Sequence, residues 1–329
     1  MTFRLDDSWV WDCWFAREGD DVHMFYLQAP RALGDPDLRH GSARIGHAVS
    51  TDLRDWHVLP NPLTESPPDS HDHEATWTGS VARSADGVWQ LLYTGCESTP
   101  NGHVQRIFRA TSVDLITFER VAGVMIEADP RWYERAGDPD SEPETHWRDP
   151  WLFWDERTAA WHILITARAK HGPPDGRGVI GHASSQDLTD WTVHPPLNEP
   201  GEFRQLEVPQ LFEVGTRPRI LFSADKSDES AARRARNGRR GGGGSHFLVA
   251  DSRFATYQLE GDAFFAPDDQ HHIYAGRLVP HKDQWWLIGW TTPSSGGHFD
   301  GVIADPIMVT LNGDNTPHIA ASPRRSRRT

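Results

Sequence analysis

The sequence predicts an all-β protein: a single-domain five-bladed β-propeller over residues 1–322, followed by a basic tail over 323–329. Three observations carry that expectation. Five strand–turn–strand units follow one another: WDCWFARE with DDVHMFYLQ, WTGSVARSADGVWQLLYTG, WRDPWLFWDERTAAWHILITA, LEVPQLFEVGTRPRILFSA and HIYAGRLVPHKDQWWLIGW. Each opens on an apolar strand carrying a polar group, turns through Asp, Gly, Pro or Lys, and returns through Leu, Ile or Tyr. A second pattern interleaves with these, in HAVSTDLRDW (47–56), RATSVDLITF (109–118) and HASSQDLTDW (182–191), with a degenerate copy at 249–261. Helical periodicity is weak throughout, while 24 Pro and 28 Gly supply many turns. Radial repetition lets an all-β chain of 329 residues avoid long exposed sheet edges. A pair of β-sandwiches is the competing arrangement.

The net charge of −14 argues against nucleic acid and anionic membranes as partners, because polyanions are drawn to basic surfaces. The basic segments, Arg233–Arg240 and the tail, read as mobile surface. No apolar run approaches the roughly 18 residues of a membrane span, and MTFRLDDSWVWD lacks the apolar core of a signal peptide. Cys13 and Cys96 make no disulfide framework. These features predict a cytoplasmic protein with free thiols. Most of the 15 Trp are expected to fill a β core.

In a propeller the first strand of each blade lines the central channel. The starts of the five first strands supply Asp12, then Trp77 to Ser80, then Arg148 and Asp149, then Glu207, then His272 and Tyr274. Three carboxylates from three blades would then face one cavity. Cleavage of a glycosidic bond needs such a set, one carboxylate to attack or activate water and one carboxyl to protonate the leaving oxygen. Glu207 lies in the apolar run QLEVPQLF, which predicts a raised pKa, whereas Arg148 beside Asp149 predicts an ionised aspartate. Each carboxylate has a bland reading too, as a turn cap or an ion-pair member.

The segments RIGHAVSTDLRDWHVLP, WTGSVARSADGVWQLLYTG, HWRDPWLF and LEVPQLF resemble the ordered motifs of glycoside hydrolase family 32 and its relative family 68, the β-fructosidases and fructosyltransferases. The resemblance runs from about residue 8 to 310. It implies a retaining mechanism through a covalent fructosyl intermediate, with Asp12 as nucleophile, Asp149 as transition-state stabiliser and Glu207 as acid/base. It further implies that Gln28, Trp77, Ser80 and Arg148 contact a sugar. Trp11 and Trp14 would wall the nucleophile, and Cys13 would point away as a structural thiol. WVWDCWF is closer to the family 68 form, Val208 stands where family 32 commonly has Cys, and no β-sandwich is expected after the propeller.

A small carbohydrate is therefore the expected substrate, with β-fructofuranosyl cleavage or transfer as the reaction. An inverting family 43-like arabinofuranosidase or xylosidase and a non-catalytic sugar-binding propeller remain as alternatives. HDHEATW (71–77) reads as a polar loop, because its His and Glu have no partner pair at metal-ligand spacing. RRGGGGSH (239–246) reads as a flexible connection, since it lacks the strand–helix context of a phosphate loop. No metal or cofactor is expected.

Overall fold

The computed structural model describes residues 2–319, apart from 101, 216, 238–242, 262, 266–272, 293–298 and 314. The tail, His272 and residues 239–242 of the glycine-rich stretch lie outside the described residues, whereas Gly244 to His246 lie in a strand rather than in a flexible connection.

All five expected hairpins form, and each grows into an antiparallel four-stranded blade. Blade I contains β1 (Ser8–Glu18), β2 (Asp21–Pro30), β3 (Arg44–Ser50) and β4 (His57–Leu59). Blade II contains β5 (Ala75–Arg83), β6 (Trp89–Thr99), β7 (Gly102–Ser112) and β8 (Glu119–Ile126). A short strand, β9 (Glu144–Thr145), adds to β7 in parallel. Blade III contains β10 (Trp147–Asp155), β11 (Ala160–Arg168), β12 (Gly178–Ser185) and β13 (Thr192–His194). Blade IV contains β14 (Glu207–Phe212), β15 (Arg219–Ala224), β16 (Gly244–Val249) and β17 (Gln258–Leu259). Blade V contains β18 (Ile273–His281), β19 (Gln284–Thr291), β20 (Ile307–Leu311) and β21 (Pro317–Ile319).

The core is divided among the blade interfaces. Five apolar clusters each sit between two neighbouring blades. Trp14, Phe25, Leu91 and Tyr93 fill the I–II seam, for example, while Phe212, Phe247, Leu278 and Leu287 fill the IV–V seam. The ring closes where blade V meets blade I. There Phe3 bridges Ile303, and the Val10 N–H donates to the Gly301 carbonyl at 3.3 Å.

The repeated Ser-x-Asp-Leu segments join the third and fourth strands of blades I to III. Asp52, Asp114 and Asp187 each accept two backbone N–H bonds from residues two and three positions on, plus a bond from the preceding serine hydroxyl. Leu53, Leu115 and Leu188 then take left-handed φ angles of 64°, 62° and 63° and bury their side chains. The repeat is thus an Asx turn that fixes the blade edge.

One expectation is corrected here. Part of the basic segment forms a short helix, α1 (Ala231–Asn237), rather than mobile surface. Arg233 is buried against Glu229 and Glu202, at 3.1 and 3.2 Å, because a buried guanidinium requires paired acceptors.

Candidate active site

A β-bulge interrupts every first strand at the same level, and this feature builds the site. The pairing register slips at Asp12 in β1, at Thr78 in β5, at Asp149-Pro150 in β10, at Val208-Pro209 in β14 and at Ala275-Gly276 in β18. Bulges re-aim side chains and sharpen the local twist. Asp12, Asp149, Val208 and Ala275 accordingly hold positive φ angles of 31°, 57°, 48° and 52°. Such conformations cost non-glycine residues about 1–2 kcal/mol each and gather at functional sites. At the next position of blade II only glycine fits, since a Cβ on Gly79 would stand 2.2 Å from the Leu92 carbonyl oxygen.

The bulges produce two rings of five side chains. Asp12, Thr78, Asp149, Val208 and Ala275 occupy the bulges themselves, and Trp11, Trp77, Arg148, Glu207 and Tyr274 immediately precede them. All ten line one cavity of about 400 Å³. Asp12 and Asp149 are therefore equivalent positions, whereas Glu207 is equivalent to Arg148. The three acids thus share a cavity without sharing one blade position.

Each carboxylate has its own setting. Asp12 accepts bonds from the Thr78 hydroxyl at 3.0 Å and the Trp290 indole N–H at 2.8 Å. Burial, with the charges of Asp149 and Glu207, pushes its pKa up to about 7. Asp149 accepts from the Thr166 hydroxyl at 2.8 Å and the Val208 N–H at 3.2 Å. Burial again dominates and raises its pKa despite Arg148. Glu207 accepts from Arg148 Nη2 at 2.6 Å and the Tyr274 hydroxyl at 2.5 Å. Burial pushes Glu207 upward, but Arg148 and Tyr274 together outweigh it and leave its pKa below the usual glutamate range.

The electrostatic expectations for the two neighbours are thus exchanged. Arg148 makes its close pair with Glu207, at 2.6 Å, and lies 3.6 Å from its chain neighbour Asp149, because the ring that precedes the bulges brings Glu207 alongside it. Behind Arg148, His146 Nδ1 accepts from Nη1 at 2.8 Å, which leaves its Nε2–H to donate to Glu142 at 3.0 Å. Gln205 and Gln105 supply further acceptors to the same guanidinium.

Trp11, Trp77, Arg148 and Tyr274 reach the cavity; Trp14, Ser80 and Gln28 do not line it. Trp14 is wholly buried and stacks on Phe25 with centroids 6.0 Å apart, since the bulge turns it into the blade I–II seam. Ser80 is buried and its Oγ accepts the Leu152 N–H at 2.8 Å, tying blade II to blade III. Gln28 donates to Asn61 Oδ1 at 2.7 Å. Cys13 is buried, as expected, and burial raises its pKa.

Sequence reasoning missed several residues that line the cavity or hold its acids. Trp290 comes from a second strand and bonds Asp12 across the blade V–I seam, so no first-strand pattern flags it. His40 comes from the turn Pro36–Ser42, where its carbonyl accepts the Trp77 indole N–H at 2.8 Å. Gln205 sits two residues before Glu207, while Thr78 lies inside the Trp77-to-Ser80 run already expected at the channel. In HDHEATW, His71 pairs with Glu97, His73 Nδ1 lies 3.1 Å from the Ser66 carbonyl, and Glu74 lines the cavity. No group of three or more metal-ligating side chains occurs among the described residues.

A closed five-bladed ring with acids from three blades in one funnel defines the architectural class. The model of the glycosyl hydrolases family 32 N-terminal domain matches residues 15–298, and the chain belongs to that family. A fructan 6-exohydrolase of Triticum aestivum is 29% identical over 202 residues, covering 58% of this chain and 30% of the relative. The insoluble isoenzyme 2 of β-fructofuranosidase from Oryza sativa subsp. indica is 25% identical over 329 residues, covering 88% and 49%. The chain thus spans half or less of these relatives' lengths. Among solved structures, the inulosucrase from Halalkalicoccus jeotgali bound to kestose superposes with a TM-score of 0.78 at 24% identity, covering 96% of this chain and 87% of that one. Levansucrase from Gluconacetobacter diazotrophicus gives 0.75 at 15% identity, covering 96% and 81%. These similarities share the fold. No described helix is long and apolar enough to cross a membrane.

Proposed function

We propose that this chain cleaves or transfers a β-fructofuranosyl unit of a small oligosaccharide, such as sucrose or a fructooligosaccharide, with retention of configuration. The observation that carries the reading is the convergence of Asp12, Asp149 and Glu207 on one cavity, with each carboxylate held by two donors. The family supports glycosidic bonds as the target, and the names of the relatives and neighbours support fructosyl groups as the unit moved.

In this reading the Asp12 carboxylate bonds to the anomeric carbon as the bond to the glycosidic oxygen breaks. Glu207 gives its proton to that oxygen, and the leaving sugar departs as an alcohol. Water, or a hydroxyl of a second sugar, then attacks the same carbon. Its proton passes to Glu207 while the Asp12 oxygen leaves. Asp149, fixed by Thr166 and the Val208 N–H, accepts bonds from sugar hydroxyls, and Trp11 and Trp77 cover apolar sugar faces. The three acids titrate as a coupled set, and the productive form carries its proton on Glu207 with Asp12 ionised. A cavity of about 400 Å³ suits a terminal sugar and its immediate leaving group. Two buried free thiols, Cys13 and Cys96, agree with a reducing, cytoplasmic site of action.

Asp12→Asn tests the reading. The variant is expected to fold with unchanged circular dichroism and to lose turnover of sucrose and kestose. Full activity in that variant removes Asp12 from the mechanism. Product NMR during hydrolysis is expected to show retained configuration first, and an inverted first product overturns the covalent step.

A further inference from the structure

A chain of bonded side chains leads away from the funnel, and its middle link is a histidine that the three acids leave unused. Glu207, Arg148, His146, Glu142 and Arg168 follow one another at 2.6, 2.8, 3.0 and 3.1 Å. His146 is the one residue between β9 and β10 and is only 3% exposed. Its neighbours fix its proton. A guanidinium donates and never accepts, so the Nδ1 that faces Arg148 Nη1 is the lone-pair nitrogen, and the hydrogen sits on Nε2 against Glu142.

The charges around the ring keep it neutral. Glu142 is already paired with Arg204 at 2.6 Å and Arg168 at 3.1 Å. Glu144, 4.0 Å from Nδ1, takes a bond from Gln105 at 3.2 Å. Burial, with Arg148 alongside, outweighs both glutamates and holds the imidazole pKa below the ordinary histidine value. We propose that His146 is a positioning residue for the acid/base, a neutral imidazole that anchors the Arg148 guanidinium against Glu207 without drawing on its charge.

A carboxylate in the same place would hold the arginine as firmly but would share its positive charge. An uncharged acceptor leaves that charge to Glu207. The other close acceptors, Gln105 Oε1 at 3.3 Å and Gln205 Oε1, are uncharged as well, while Asp149 stands off at 3.6 Å. Gln105 is itself held, since its Oε1 also accepts the Trp147 N–H at 3.2 Å. The inference rests on Glu207 as the acid/base of the proposed reaction; the proton arrangement of His146 does not.

His146→Asn and His146→Gln separate the roles of the two ring nitrogens. The Asn amide oxygen reaches the place of Nδ1 and keeps an acceptor for Arg148. The longer Gln amide reaches the place of Nε2 and keeps only the Glu142 contact. An arginine held less firmly favours ionised Glu207 less, so Glu207 keeps its proton to higher pH. The acid limb of kcat/KM is expected to move up by about half a pH unit in His146→Gln, about threefold in rate on that limb, and to stay in place in His146→Asn. A residue that merely fills space would cost stability in both variants and move neither limb. An unmoved limb in His146→Gln, or equal shifts in the two variants, overturns the proposal. If either variant fails to fold, neutron diffraction from wild-type crystals decides alone. At about pH 5 a single deuteron on Nε2 is expected, where an ordinary histidine carries two, and a deuteron on Nδ1 overturns the anchor. That arrangement in a protein that turns over no fructoside keeps His146 as the anchor of Arg148 and removes the reaction.

Discussion

Arg148 Nη2 lies 2.6 Å from Glu207 Oε1, while the carboxylate of its own chain neighbour, Asp149, is 3.6 Å from Nε. Arg148 is buried while Glu207 keeps about a quarter of its side chain open to the funnel, and Tyr274 completes the pair from the next blade. Arg148→Gln leaves a half-buried Glu207 without its cation, and the cost is expected below the roughly 3–5 kcal/mol of a fully buried pair, about 1–3 kcal/mol. Urea denaturation is the check, with a midpoint drop expected at unchanged m-value. Arg148→Lys, which keeps the charge, should recover part of the loss.

Tyr274→Phe removes a single donor from ionised Glu207 and leaves Arg148 in place. A group that loses such a donor holds its proton to higher pH. Because Glu207 titrates below Asp12, the acid limb of kcat/KM is expected to move upward in Tyr274→Phe, and an unmoved or lowered limb separates Tyr274 from the acid.

Asp12 must be ionised to attack, and its pKa is raised to about 7 by burial and by the neighbouring acids. The productive form, with Asp12 ionised and the proton on Glu207, is then the minor tautomer of the singly protonated pair, so activity is lost as pH rises through the neighbourhood of 7, and its acid limb belongs to the lower-lying Glu207. Trp290→Phe deletes a bond that favours the ionised form, so its alkaline limb should lie higher still. The measurement is a kcat/KM profile of both proteins from pH 4 to 9, with the limbs assigned to the coupled set.

Glu207→Ala should lower turnover of sucrose by about 10²–10⁴-fold, the usual weight of a general acid–base group. Fructosyl donors with good leaving groups should suffer less, and added azide should restore rate by attacking the fructosyl–Asp12 ester. Equal loss for every donor, without azide rescue, assigns Glu207 a different role.

Stability should also fall in acid for a reason remote from the funnel. His162 and His182 are buried with Nδ1 and Nε2 2.9 Å apart, and burial lowers their pKa values to about 4 and about 3. An unfolded histidine titrates near 6.5. Between about pH 6.5 and 3 the unfolded chain therefore binds more protons, and stability rises with pH across that window. His182 alone contributes about 2 kcal/mol of this loss at pH 5. Asp12, whose pKa is raised on folding, works in the opposite sense between about pH 4 and 7. Denaturation midpoints from pH 5 to 8 should vary less steeply in His182→Gln than in the wild type.

The alternating strands, their turns and the five hairpins were legible in the sequence because side-chain period and turn chemistry are local properties. Asp12, Asp149 and Glu207 were legible for the same reason, as polar residues in apolar first strands. Three things were decided only by the folded ring. The bulges put Asp12 and Asp149 in one circle and Glu207 in the adjoining one, which depends on how each partner strand pairs. Arg148 found its acid on another blade, not beside it in the chain. Trp14 turned into a seam while Trp290 took the place beside Asp12. Register, bulge and blade contact are relations between segments far apart along the chain, and a linear pattern carries no distance between such segments.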